Sequence, residues 1–160
     1  MKKFSKTQFR EASMPVFLNS GFSFNSSEHG RALFAEEETG DTYTRFSNPN
    51  TDAFVERLAE LEKCEDGFAF ASGMAAVFSV FGALLKSGDH VLASRALFGS
   101  SYQILTNVLP RWNISHTFFD RDEVNNLEAK IQSNTKIIFV ETPSNPGLDI
   151  IDLSALADFK

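Results

Sequence analysis

The chain has 160 residues, 42% of them hydrophobic, and 15 basic against 21 acidic side chains give a formal net charge of −6. This is enough apolar sequence for one ordinary core and argues against a disordered chain. The acidic balance also lacks the clustered Lys and Arg that nucleic acid or an anionic membrane surface requires, so Lys2, Lys3 and Lys6 read as a solvated terminus.

Cys64 is the single cysteine, which rules out an internal disulfide and fits a reducing compartment. Neither an N-terminal apolar h-region nor a run of about 18 apolar residues is present, so the expected location is the cytoplasm.

In chain order, residues 1–50 come first and form an arm rich in Ser, Asn, Gly and Phe with no sustained period of 3.6 or 2. Its seven phenylalanines between Phe4 and Phe46 need a surface to cover, and that surface can belong to another subunit. Residues 51–160 are regular. A helix is expected from Thr51 as N-cap, with Phe54, Leu58 and Leu61 on one face. A strand at 67–71, a helix at 74–86 and a turn at Gly88 and Asp89 follow. Next come a strand at 90–94, a helix near 100–109 ending around Pro110, a strand at 115–120 and a helix at 122–132. A strand at 136–142, a "PSNPG" loop and a helix opening at Asp152 complete the series. Strands without polar alternation, alternating with helices, predict an α/β fold: a mostly parallel sheet covered on both faces. The last helix has room for only about two turns before the sequence stops, so a piece of a longer protein is expected.

Four segments carry candidate chemistry. At Ser72, Gly73 and Met74 an apolar strand pattern turns abruptly into an apolar helix pattern. The free N–H groups of a helix start bind anions, phosphate above all, and glycine lets an oxyanion approach the backbone. The alternative is a tight turn whose glycine serves packing. Tyr43 and Arg45, two apart in an extended segment, would share a side and could grip a phosphate together; an ordinary surface arginine is the alternative. After the apolar strand at 136–142, Glu141 and Asn145 lie in a stiff loop where an X-Pro bond can be cis, or they belong to a plain connection. Phe98, at the same edge, could stack on a flat heteroaromatic ring or be core.

Other classes lack support. His29, His90 and His116 are widely spaced with no metal-ligand pattern, no G-x-S-x-G elbow is present, and neither a G-x-G-x-x-G fingerprint nor a Walker loop appears. Glu36 to Glu38 and Asp120 with Asp122 read as solvated loops.

In this order, "YTRFSNPNTDAFVERLAELE", "AFASGMAAVFSVFGALLKSGDHVLAS", "LFGSSY" and "IIFVETPSNPGLDIIDL" resemble the cystathionine gamma-synthase-like family of pyridoxal-phosphate enzymes in cysteine and methionine metabolism. The resemblance covers residues 13–160 and implies the N-terminal part of a fold-type I pyridoxal-phosphate-dependent transferase. It implies that the backbone of Gly73 and Met74 holds the pyridoxal 5'-phosphate group. Tyr43 and Arg45 would reach the phosphate in the neighbouring subunit of a homo-oligomer, a dimer or a dimer of dimers (homotetramer). Asn145 would lie near the cofactor's phenolic oxygen and the substrate carboxylate, with Glu141 just before it. Phe98 takes the stacking place that is commonly Tyr in the family, and it resembles the O-succinylhomoserine and O-acetylhomoserine sulfhydrylase branch.

The implied reaction is gamma-replacement on an O-acylated homoserine, an amino-acid substrate, by a sulfur donor. Sulfide would give homocysteine in methionine biosynthesis. Cystathionine gamma-synthase, a cystathionine or methionine lyase, and a catalytically incomplete chain that only binds a phosphate ligand or a partner subunit remain alternatives. None of Lys63, Lys86, Lys130, Lys136 or Lys160 stands in the context of the family's Schiff-base lysine. The catalytic lysine is therefore expected beyond residue 160, and the 160 residues alone are expected to be inactive.

Overall fold

A computed structural model describes residues 8–157 and 159. The basic terminus at Lys2, Lys3 and Lys6, together with Phe4 and Lys160, lies outside the described residues. The chain divides into two compact units, Met1–Ala69 and Phe70–Lys160.

The second unit is built on a three-stranded parallel sheet in the order β2-β1-β3, with β1 at His90–Ser94, β2 at Ser115–Phe119 and β3 at Thr135–Phe139. All five residues of β1 are buried, as expected for a central strand without polar alternation. Because successive side chains point to opposite faces, the sheet separates two cores. On one face Val91 and Ala93 meet Phe81 from helix α3 (Gly73–Leu84) and Leu97, Ile104, Leu105 and Leu109 from the helical stretch after β1. On the other, Leu92 and Phe119 meet Val124 and Leu127, with Ile151 and helix α5 (Leu153–Ala157) alongside. These layers are the α/β architecture the sequence predicts.

His90 is fully buried at the amino end of β1, and its ring is satisfied on both sides. Its Nδ1 lies 2.8 Å from Thr135 Oγ1, while Nε2 lies 2.9 Å from Thr117 Oγ1 and 3.2 Å from Gln132 Nε2. With the Gln132 amide donating, Nε2 accepts and Nδ1 carries the proton. Burial, reinforced by the neighbouring His116, holds the His90 pKa below the ordinary histidine value.

Several local expectations are corrected. Residues 67–71 form no strand: Phe68 is 87% exposed, and none of the three strands pairs with this segment. Apolar character alone does not make a strand when no neighbouring strand takes up the ladder. The stretch expected as one α-helix near 100–109 is α4 (Gly99–Gln103), a π turn at Ile104–Val108 and a 3₁₀ turn at Leu109–Trp112. Pro110 does not stop it, because it sits at the start of the 3₁₀ turn, where no N–H is needed. The expected helix at 122–132 is a 3₁₀ segment, Arg121–Lys130, interrupted by Asn126 at φ −139° and ψ 36°.

The first unit holds helices α1 (Ser27–Phe34) and α2 (Pro49–Glu62). Asn48, not Thr51, caps α2: its Oδ1 accepts from the Asn50 N–H at 3.0 Å, and Pro49 fits the first helical position. The same Asn48 amide donates to Phe17 O and Thr44 Oγ1, and Asn50 bridges Pro15 O and the Phe17 N–H. The arm is therefore tied to the helix start by asparagine side chains. Phe54, Leu58 and Leu61 do share a face of α2, yet they are 58%, 45% and 61% exposed.

Candidate cofactor site

Helix α3 supplies the first element. Ser72 caps it by accepting from the Ala75 N–H at 3.2 Å, and the Ala76 N–H makes the bond back to Ser72 O. The N–H groups of Gly73 and Met74 precede that bond and open the helix. Twelve residues of aligned peptide dipoles stand behind them, and the first turn holds no acidic side chain to oppose an anion. A Cβ built at Gly73 meets nothing within 4 Å, so packing does not demand glycine there. Open space beside two leading donors fits a phosphate group, and Met74 fixes the turn by packing its side chain on the sheet-face core.

Phe98 and Glu141 are brought together. Phe98 follows β1 and Glu141 follows the neighbouring β3, so both lie at the carboxyl edge of the sheet, where α/β proteins place ligands. Glu141 Oε2 accepts from the Phe98 N–H at 2.7 Å, and Oε1 accepts from the buried Ser101 hydroxyl at 2.8 Å. Sequence reading missed Ser101; its place three residues after Phe98, at the start of a helix, was the available signal. The Phe98 side chain is 44% exposed, so it is not a core residue.

Asn145 is exposed in the loop after β3. The loop is braced from within: Ser144 Oγ donates to Asp149 Oδ2 at 3.0 Å and accepts from the Asp149 N–H at 2.9 Å. A Cβ at Gly147 would lie 2.6 Å from Asp149 Oδ2, so a larger residue there would push aside the carboxylate that Ser144 holds. The Thr142-Pro143 and Asn145-Pro146 bonds are both cis. Among the described residues, no hydrogen bond joins Asn145 to the other candidates of this unit.

Tyr43 and Arg45, in the first unit, do converge, with Arg45 Cζ 4.6 Å from the Tyr43 ring centroid and 5.3 Å from that of Phe46. The reason differs from the expected extended alternation. Tyr43 pairs with Gly21 in an isolated antiparallel bridge, and its carbonyl then accepts from the Phe46 N–H at 2.8 Å, closing a turn that folds Arg45 back over the ring.

The model for Cys/Met metabolism PLP-dependent enzymes matches residues 1–160. The chain belongs to that family. It is 38% identical over 152 residues to the L-methionine gamma-lyase of Fusobacterium nucleatum, covering 95% of this chain and 38% of the relative. It is equally 38% identical over 153 residues to the O-succinylhomoserine sulfhydrylase of Mycobacterium tuberculosis, covering 96% and 38%. Among solved structures, a putative O-acetylhomoserine (thiol)-lyase of Campylobacter jejuni with N'-pyridoxyl-lysine-5'-monophosphate at its position 205 superposes with a TM-score of 0.88. It is 35% identical, over 96% of this chain and 38% of that one. The chain thus spans about two fifths of the length of the relatives it matches. Family membership makes pyridoxal phosphate the cofactor. No helix of the described residues is long and apolar enough to cross a membrane.

Proposed function

We propose that these 160 residues supply the phosphate seat and ring cover of a pyridoxal-phosphate site that performs gamma-replacement on an O-acylated homoserine with sulfide. The bound cofactor supplies an electron sink for carbanion chemistry. In this reading the Gly73 and Met74 N–H groups donate to its phosphate, and α3 directs its positive end there. The apolar face of Phe98 covers the ring and excludes water from it. Asn145 offers an amide donor from the braced loop toward the ring oxygen and the substrate carboxylate. Tyr43 and Arg45 complete the phosphate site of a neighbouring subunit, so residues 1–50 are the inter-subunit arm and 51–160 the first part of the cofactor domain. The covalent lysine comes from outside these residues, which agrees with the share of its relatives that the chain spans.

The choice of sulfide transfer rests on Phe98. A tyrosine there could move a proton to or from the leaving group, whereas phenylalanine can only stack. A methionine gamma-lyase is the second reading, favoured by an identity equal to that of the sulfhydrylase. Two assays on the full-length protein separate them: homocysteine from O-succinylhomoserine plus sulfide, and 2-oxobutyrate from methionine. Faster homocysteine formation is expected; dominant elimination from methionine would overturn the choice.

The claim about the lysine is tested on the 160-residue chain by borohydride reduction with pyridoxal phosphate and peptide mapping. Sparse label scattered over exposed lysines is expected. Stoichiometric label on one lysine would refute it.

A further inference from the structure

Helix α4 begins without a cap of its own. Phe98 stands at its N-cap and has no side-chain oxygen to offer, so the helix start lacks the usual local acceptor. Glu141, just beyond the end of β3, holds the helix start in another way. Its two oxygens take the Phe98 N–H and the hydroxyl of Ser101, which is only 2% exposed. No cation pairs with Glu141 among the described residues, so these two donors are what hold its charge in place. The Phe98 ring is half-exposed and stacks on no other ring among the described residues, so its direction follows from the backbone that Glu141 grips.

We propose that Glu141 is a positioning residue: by clasping the Phe98 N–H and the Ser101 hydroxyl, it aims the Phe98 ring at the cofactor. The inference rests on the cofactor reading above and changes the role of Glu141 within it. Each Glu141 oxygen is already committed to one donor of the Phe98–Ser101 segment, so the carboxylate is assigned to holding that segment and not to the chemistry. Its geometric importance comes from joining the ends of two adjacent strands, β1 and β3, at the edge where the ring would lie.

The test is a double-substitution cycle in the full-length protein with Glu141→Gln, Phe98→Ala and the pair, read by pyridoxal-phosphate affinity and visible circular dichroism. Glutamine keeps the size but leaves one oxygen to serve two donors. Glu141→Gln should weaken cofactor binding about tenfold and diminish the cofactor's dichroism, the loss expected for one charge-assisted bond. In the Phe98→Ala background the same change should alter affinity by less than about twofold, because coupled residues are non-additive. Equal effects in both backgrounds would overturn the proposal. Ser101→Ala, carried through the same cycle, should give a smaller effect of the same coupled kind and decides the matter if Glu141→Gln does not fold.

Amide hydrogen exchange of the apoprotein separates the two layers of the argument. Faster exchange at Phe98 in Glu141→Gln is expected, and an unchanged Phe98 amide would overturn the clasp. A wild-type protein with a protected Phe98 amide but no cofactor dichroism would overturn the cofactor reading, and with it the purpose assigned to the clasp.

Discussion

The two units of this chain hold their shape by different means. Around the sheet, Phe81, Val91, Leu92, Leu105, Phe119 and Leu127 are wholly buried, and the described polar groups close on one another, as His90 does between Thr117 and Thr135. Among the described apolar residues of the first unit, only Ala32 and Leu33 reach burial, and α2 buries none of its 14 residues. What fixes that unit is the net of asparagine and threonine hydrogen bonds around Asn48 and Asn50. The contrast teaches that one region carries its own core while the other presents apolar surface. In the proposed reading of residues 1–50 as an inter-subunit arm, a partner subunit would cover such surface.

The largest expected effect sharpens this contrast. Leu92→Ala should cost about 3–5 kcal/mol in a denaturant titration because it opens a cavity under the sheet, whereas Leu58→Ala on α2 should cost under about 1 kcal/mol in the isolated chain. Equal losses would break the comparison. Next, Asn48→Ala removes both a helix cap and the ties to Phe17 and Thr44; a loss of about 1–2 kcal/mol is expected, confined to the first unit in hydrogen-exchange profiles.

Arg45→Ala should leave the folded chain's stability within about 0.5 kcal/mol, since the guanidinium is exposed. In the assembled protein it should weaken cofactor affinity about tenfold, which equilibrium dialysis reads directly. Unchanged affinity would remove the arm from the site.

The smallest effect is set by pH. Because the folded-state pKa of His90 is depressed, the unfolded chain binds the proton more readily. The stabilisation is therefore complete above the ordinary histidine pKa of about 6.5 and is lost progressively as pH falls below it. His116, depressed by its own burial, acts in the same direction. Thermal melts between pH 7.5 and 5 should show the sheet unit losing stability on acidification, while the first unit, whose Asn48 and Asn50 net does not titrate, follows less steeply.

The layered α/β fold could be read from sequence because β1 and β3 are apolar runs separated by helical patterns, a signal that survives any detail of packing. Residues 67–71 look equally apolar, but pairing depends on neighbours that sequence does not reveal. The cap of α2 was misread because Thr51 and Asn48 are both good cap residues, and only Pro49 distinguishes them. Among the candidate site residues, Gly73 and Phe98 stand out in sequence because each lies where an apolar run gives way to a helix pattern. The Glu141 clasp was not, since it joins residues 43 positions apart through a buried serine.

The central claim is that the start of α3 seats a phosphate. The direct measurement is a titration of the ¹⁵N-labelled chain with pyridoxal phosphate, following amide chemical shifts in wild type and Gly73→Ala. The account predicts the largest shifts at Gly73 and Met74, and their loss in Gly73→Ala without loss of stability, since the added methyl meets no protein atom within 4 Å but enters the phosphate's space. Shifts elsewhere with these two amides unmoved, or an undiminished response in Gly73→Ala, would contradict it.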